Sequence, residues 1–256
     1  MKTTYKNTQI HYQIRGQGTP LVLLHGYLEN STMWEALLPE LVKKYQVITI
    51  DLLGHGQTEC LGYVHSMETM AKAVRTALEQ ESIPPAIVIG HSMGGYVSLA
   101  IAEAYPDRVA ALVLLNSTAK ADSTERKLNR DRGIQVVKKN PTAYTSMAIA
   151  NLFASENQAL FPTQIAKIKQ EAAQTPLQGI IAAQEGMKIR EDRTTVLKNF
   201  KGTKLLIAGK QDPVLDYSQL EKEAQNTNTK FISLDGGHMS HVENFEEILE
   251  ITKGLQ

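Results

Sequence analysis

Cysteine occurs once in the 256 residues, at Cys60. One thiol excludes an internal disulfide and any zinc site built on several cysteines. Only a lone nucleophile is left to consider, and nothing around Cys60 marks it as one. Excess charge is missing too: Lys plus Arg and Asp plus Glu each number 27. No global field therefore draws in nucleic acid or an anionic membrane surface. Long apolar runs are also missing. No stretch approaches the roughly 18 residues of a spanning helix, and the opening segment Met1-Lys2-Thr3-Thr4-Tyr5-Lys6-Asn7 has no apolar run of signal-peptide length. These absences predict a soluble, cytoplasmic protein with a small neutral or amphiphilic ligand and no nucleic-acid or membrane partner; a monomer or homodimer is expected. No metal or nucleotide signature occurs, so no cofactor is expected.

What the chain does contain is enough apolar residue, 42%, to bury a sizeable core in one α/β domain. Residues 2 to 14 read as an antiparallel hairpin. Six strand-like runs follow: Leu21-Val22-Leu23-Leu24, Val47-Ile48-Thr49-Ile50, Ala86-Ile87-Val88-Ile89, Val109 to Leu115, Lys204 to Ala208 and Phe231 to Leu234. They are continuous and rich in Val, Ile and Leu, as parallel strands buried on both faces must be, and segments of helical period separate them. Between Ser117 and about Phe200 the rhythm turns to helix-like segments punctuated by Pro141, Pro162 and Pro176. This predicts a helical cap over 118–200, inserted into a core of 1–117 and 201–256.

The run Ile87-Val88-Ile89-Gly90-His91-Ser92-Met93-Gly94-Gly95-Tyr96 passes from a strand into residues of helical composition. A nucleophile on so tight a turn needs small neighbours two residues to either side, which Gly90 and Gly94 supply. The turn lifts the Ser92 hydroxyl clear of the sheet and aims the first N–H groups of the helix, Met93 included, at a site where negative charge can develop. A second N–H is expected from the loop after Leu24, at Tyr27. His25 reads as structural, bonding local backbone, and His91, inside the turn, reads as structural too.

An acid, Asp212, follows the strand Lys204 to Ala208, and His238 follows Phe231 to Leu234 by way of Asp235-Gly236-Gly237. A serine hydroxyl needs a base with pKa near the working pH, which imidazole supplies, and an acid to hold the ring in the right tautomer. Among competing acids, Asp216 falls at a helix start and Asp235 lies too near His238 in sequence to reach around it. The strand after the nucleophile helix ends in Leu115-Asn116-Ser117-Thr118, with no carboxylate. His241, with no third ligand for a metal pair, reads as a capping or surface residue. Trp34, at helical spacing with Leu37, Leu38 and Leu41, reads as core.

Leu24-His25-Gly26, Asp51-Leu52-Leu53-Gly54-His55-Gly56, Gly90-His91-Ser92-Met93-Gly94-Gly95, Lys210-Gln211-Asp212-Pro213 and Gly237-His238 together resemble the α/β-hydrolase superfamily, most of all its small capped serine esterases and lactonases. The resemblance implies an α/β fold with an eight-stranded, mostly parallel sheet flanked by helices. It implies a catalytic triad of Ser92, Asp212 and His238, and backbone N–H donors at Tyr27 and Met93. Asp51 and His55 read as structural. The expected chemistry is cleavage of carboxylic esters of small or medium acyl chains through an acyl-enzyme. The same triad would also serve carbon–carbon or thioester cleavage, and a ligand receptor on this fold is the alternative of another class. A serine nucleophile disfavours dehalogenase and epoxide hydrolase chemistry, which needs a carboxylate at that position.

Overall fold

The computed structural model describes residues 1–255; Gln256, the last position of the expected core segment, lies outside the described residues. Eight strands form one sheet: β1 Lys2–Tyr5, β2 Thr8–Arg15, β3 Thr19–Leu24, β4 Tyr45–Ile50, β5 Ala86–His91, β6 Val109–Leu115, β7 Thr203–Gly209 and β8 Lys230–Leu234. Their order across the sheet is β1-β2-β4-β3-β5-β6-β7-β8. The pairs β1/β2 and β2/β4 are antiparallel and all others parallel. Each apolar run read from the sequence falls within a strand.

Side chains alternate across the pleat, so each central strand feeds two cores. Val22, Leu24 and Val88 enter one cluster and Leu21, Leu23, Ile87 and Ile89 the other. Helices cover both faces: α1 Leu38–Leu41, α2 Met67–Gln80, α3 Met93–Ala104, α9 Tyr217–Thr227, α10 Ser240–Glu243 and α11 Phe245–Lys253 belong to the chain on either side of a long helical insertion. α2 shows the local logic. Ser66 caps it by accepting from Thr69 N–H at 3.2 Å, and Met67, Met70, Ala71, Val74 and Leu78 form its buried stripe. α3 lacks a polar face because it is enclosed; every residue from Met93 to Ala102 is buried.

Between β6 and β7 lie only helices: α4 Thr124–Lys139, α5 Pro141–Ala150, α6 Pro162–Ala172, α7 Leu177–Lys188 and α8 Thr194–Asn199. Proline opens α5 and α6 at their first residues, where its missing N–H costs nothing. α7 meets the rest of the molecule backbone to backbone. A Cβ on Gly179 would overlap Gly54 O, one on Gly186 would overlap His65 O, and His65 N–H donates to Ala182 O at 2.9 Å.

The chain runs from β3 outward to β4, then returns to place β5 on the other side of β3. Loops leaving the carboxyl ends of β3 and β5 therefore diverge and open a crevice between them. That switch point is where open α/β sheets bind ligands. Tyr27 and Ser92 stand on those two loops.

Candidate active site

Ser92 sits between β5 and α3 with φ 49° and ψ −111°, a conformation that a non-glycine residue adopts only when its surroundings impose it. Here they do. Ser92 N–H donates to Leu115 O at 3.0 Å and Ser117 Oγ–H donates to Ser92 O at 2.7 Å. A Cβ on Gly90 would overlap the Gly94 carbonyl, and one on Gly94 would overlap that of Leu24. The turn closes only with glycine at both places.

The structure brings the three expected side chains into one chain of hydrogen bonds. His238 Nε2 lies 2.9 Å from Ser92 Oγ, and His238 Nδ1 lies 2.7 Å from Asp212 Oδ2. Asn116 Nδ2–H donates to the same oxygen at 3.1 Å, while Val214 and Leu215 N–H donate to Oδ1 at 2.7 and 2.9 Å. Burial pushes the Asp212 pKa up, but the charge and hydrogen bond of His238 and the two backbone donors outweigh it and hold the carboxyl below its usual range. Asp212 is thus ionised and aimed at Nδ1, which leaves Nε2 free to face the serine. His238 N–H donates to Leu152 O of the insertion at 2.9 Å. The competing acids stand elsewhere: Asp216 caps α9 through Gln219 N–H, and Asp235 pairs with Lys210 on the surface.

The backbone N–H groups of Tyr27 and Met93 donate to no protein acceptor among the described residues. Met93 is the first residue of α3, so its N–H also carries the positive end of that helix's dipole. Both loops border a cavity of about 90 Å³ that contains Ser92 and His238; Leu28 closes it from the core, and Arg126, Arg130, Leu152 and Met187 from the insertion.

Beneath the site lies a second polar layer. His91 Nδ1 is 2.7 Å from Glu29 Oε2, and Nε2 is 2.9 Å from the His238 carbonyl oxygen. Both partners are acceptors, so both ring nitrogens donate and His91 is an imidazolium. Burial alone would lower its pKa, yet the Glu29 charge and hydrogen bond raise it. Burial likewise works against the Glu29 charge, but His91 holds that carboxyl down at about 2. Glu29 also accepts from Gly26 N–H at 3.0 Å, which ties the loop carrying Tyr27 to the turn carrying Ser92. Sequence reasoning missed Glu29. The only signal was a carboxylate five residues beyond the end of β3, with no pattern to mark it.

His25 bonds backbone as expected, donating to Gly26 O at 2.7 Å and accepting from Leu52 N–H at 2.8 Å. Asp51 accepts from Ser31 and Gln57 N–H and lies 2.9 Å from His11 Nδ1, away from Ser92. Trp34 is buried in the core, though on a 3₁₀ turn spanning Ser31–Trp34. The surface reading of His241 is wrong. The Gly236-Gly237 turn folds α10 back under the site, so His241 is buried, 3.7 Å from Glu29 Oε1, and burial drives its pKa down to about 4. Cys60 is half-buried, and burial pushes its thiol up, away from a reactive thiolate. Among the described residues no cluster of three or more His, Cys, Asp or Glu could hold a metal ion, and no helix is long and apolar enough to cross a membrane.

A thermophilic esterase from Thermogutta terrifontis, solved with malate bound, is 30% identical, with a TM-score of 0.91 over 98% of this chain and 94% of that one. An enol-lactonase from Burkholderia xenovorans shares the fold at 22% identity, TM-score 0.91, over 99% and 98% of the two chains. An uncharacterized Mycobacterium tuberculosis protein is 34% identical over 106 residues, 41% of this chain and 31% of that protein, so the match spans about a third of such a curated relative. The family model for the alpha/beta hydrolase fold matches residues 19–245. Sheet order, the site at its switch point and this match agree: the chain belongs to the alpha/beta-hydrolase family.

Proposed function

We propose that the protein is a serine hydrolase that cleaves carboxylic esters of short acyl chains through an acyl-enzyme. The observation that carries this reading is the unbroken relay from Asp212 through His238 to Ser92, at 2.7 and 2.9 Å. His238 Nε2 takes the proton of Ser92 as Oγ attacks the ester carbonyl carbon. The same imidazolium then protonates the departing alcohol, and water repeats the cycle to release the acid. The free N–H groups of Tyr27 and Met93 receive the oxyanion; one such donor is typically worth about 10²–10³ in turnover. Residues 118–200 act as the cap that limits acyl length, over a core of 1–117 and 201–256, and a cavity of about 90 Å³ favours the short end of the range.

Nitrophenyl acetate, butyrate and octanoate test the reading without added metal or cofactor. Wild type turns over the shorter esters, and Ser92→Ala loses at least about a thousandfold in kcat. Equal turnover in Ser92→Ala, or wild type inert on every ester while a fluorophosphonate fails to label Ser92, would overturn it.

A further inference from the structure

Helix α4 buries only Ile134 and Val137, yet two of its arginines, Arg126 and Arg130, line the cavity that contains Ser92. Both converge on Asp122, whose side chain is wholly buried, and Arg190 joins them from beyond the end of α7. Arg126 Nε lies 3.3 Å and Arg190 Nη1 2.6 Å from Asp122 Oδ1, and Arg130 Nε meets Oδ2. No other carboxylate lies within 4.0 Å of these three guanidinium groups among the described residues. Three positive charges share one negative charge. The carboxylate that lines the cavity, Glu29, is already matched by His91 at 2.7 Å.

Donors remain unused. Arg130 Nη1 has only a 3.4 Å contact with Gln184 Oε1, and Arg126 spends Nη1 on Val214 O at 2.7 Å but has no acceptor for Nη2. A second, independent observation points the same way. Tyr27 Oη is sealed from solvent with no well-aligned hydrogen bond, although Tyr144 and Gln184 stand beside it, and Tyr27 lines the same cavity. Burial keeps that phenol protonated, so it too can donate to an acceptor in the cavity. Uncompensated positive charge is costly unless an anion arrives to satisfy it, and guanidinium groups suit a planar carboxylate.

We infer that Arg126, Arg130 and the Tyr27 hydroxyl form a carboxylate-binding subsite, so that the preferred substrate is a short ester carrying a free carboxylate, a half-ester of a dicarboxylic acid. This rests on the serine-hydrolase reading above. Methanol release from monomethyl succinate against neutral dimethyl succinate tests it. Wild type prefers the half-ester in kcat/KM by about tenfold or more, as a charge-assisted hydrogen bond allows. Arg126→Gln, at the most exposed of the three arginines, and Tyr27→Phe, which keeps the backbone N–H, each cut that preference severalfold, chiefly through KM. Succinate competes with nitrophenyl acetate more strongly than butyrate does, a measurement that needs no variant. Equal or better turnover of the diester, or a preference untouched by both substitutions, overturns the subsite. Turnover of nitrophenyl acetate with neither methyl ester accepted also overturns it while leaving the hydrolase reading intact. Loss of all three activities strikes that reading instead.

Discussion

Acidification loads protons onto an unfolded chain whose histidines titrate near 6.5, while the folded chain refuses several of them. Burial drives His55 down to about 3 and His65 and His241 down to about 4. A histidine with a depressed folded pKa contributes stability that is full above the unfolded pKa and declines as pH falls, until the folded pKa is reached. Between pH 7 and 5.5 each such group costs a little over about 1 kcal/mol, so the three together cost about 4 kcal/mol. His91 acts in the opposite sense. Its raised pKa gives stability that is full at low pH and lost as pH rises through the folded value, which offsets part of that loss. Glu29, held at about 2, and Asp212, also depressed, keep their charge throughout this window and lose their contributions only below the ordinary carboxylate range. A net loss of about 3 kcal/mol lowers Tm by about 6–12 °C for a chain of this size. Calorimetry or circular dichroism melts at the two pH values read it directly. A Tm change under about 2 °C, or ring-proton NMR showing His55, His65 and His241 all titrating near 6.5, refutes the reasoning.

Two substitutions probe the site from beneath. Asp212→Asn keeps an oxygen for Val214 and Leu215 N–H but no longer fixes the His238 tautomer; kcat is expected to fall by about 10⁴ with Tm nearly unchanged, and steady-state kinetics with a melt checks both. Glu29→Gln leaves the buried His91 imidazolium unpaired, and breaking such a pair costs about 3–5 kcal/mol. Urea unfolding at pH 7 measures that loss, and a change below about 1 kcal/mol would mean that the pair behaves as an exposed one.

The sequence made the strands easy to place because burial on both faces leaves unbroken apolar runs, such as Leu21 to Leu24 and Val109 to Leu115. Ser92, Asp212 and His238 could be located because each stands just past a strand, flanked by the glycine or proline its turn requires. Glu29 and His241 escaped because their partners lie far along the chain: Glu29 meets His91, and His241 is buried by a fold-back of only four helical residues. Arg126 and Arg130 were hidden differently. α4 is so charged that a solvent-facing position accounts for both, and only the tertiary fold shows that they line the cavity.

The backbone seam between α7 and the Gly54 and His65 loops divides the insertion into unequal partners for evolution or redesign. With Gly179 and Gly186 each facing a carbonyl oxygen, neither position tolerates a side chain, and α7 is bound to keep its place whatever the substrate. α4 leans on α7 through Arg130 to Gln184 and Asp131 to Lys188, so the seam sets where the cavity-lining arginines of α4 can stand.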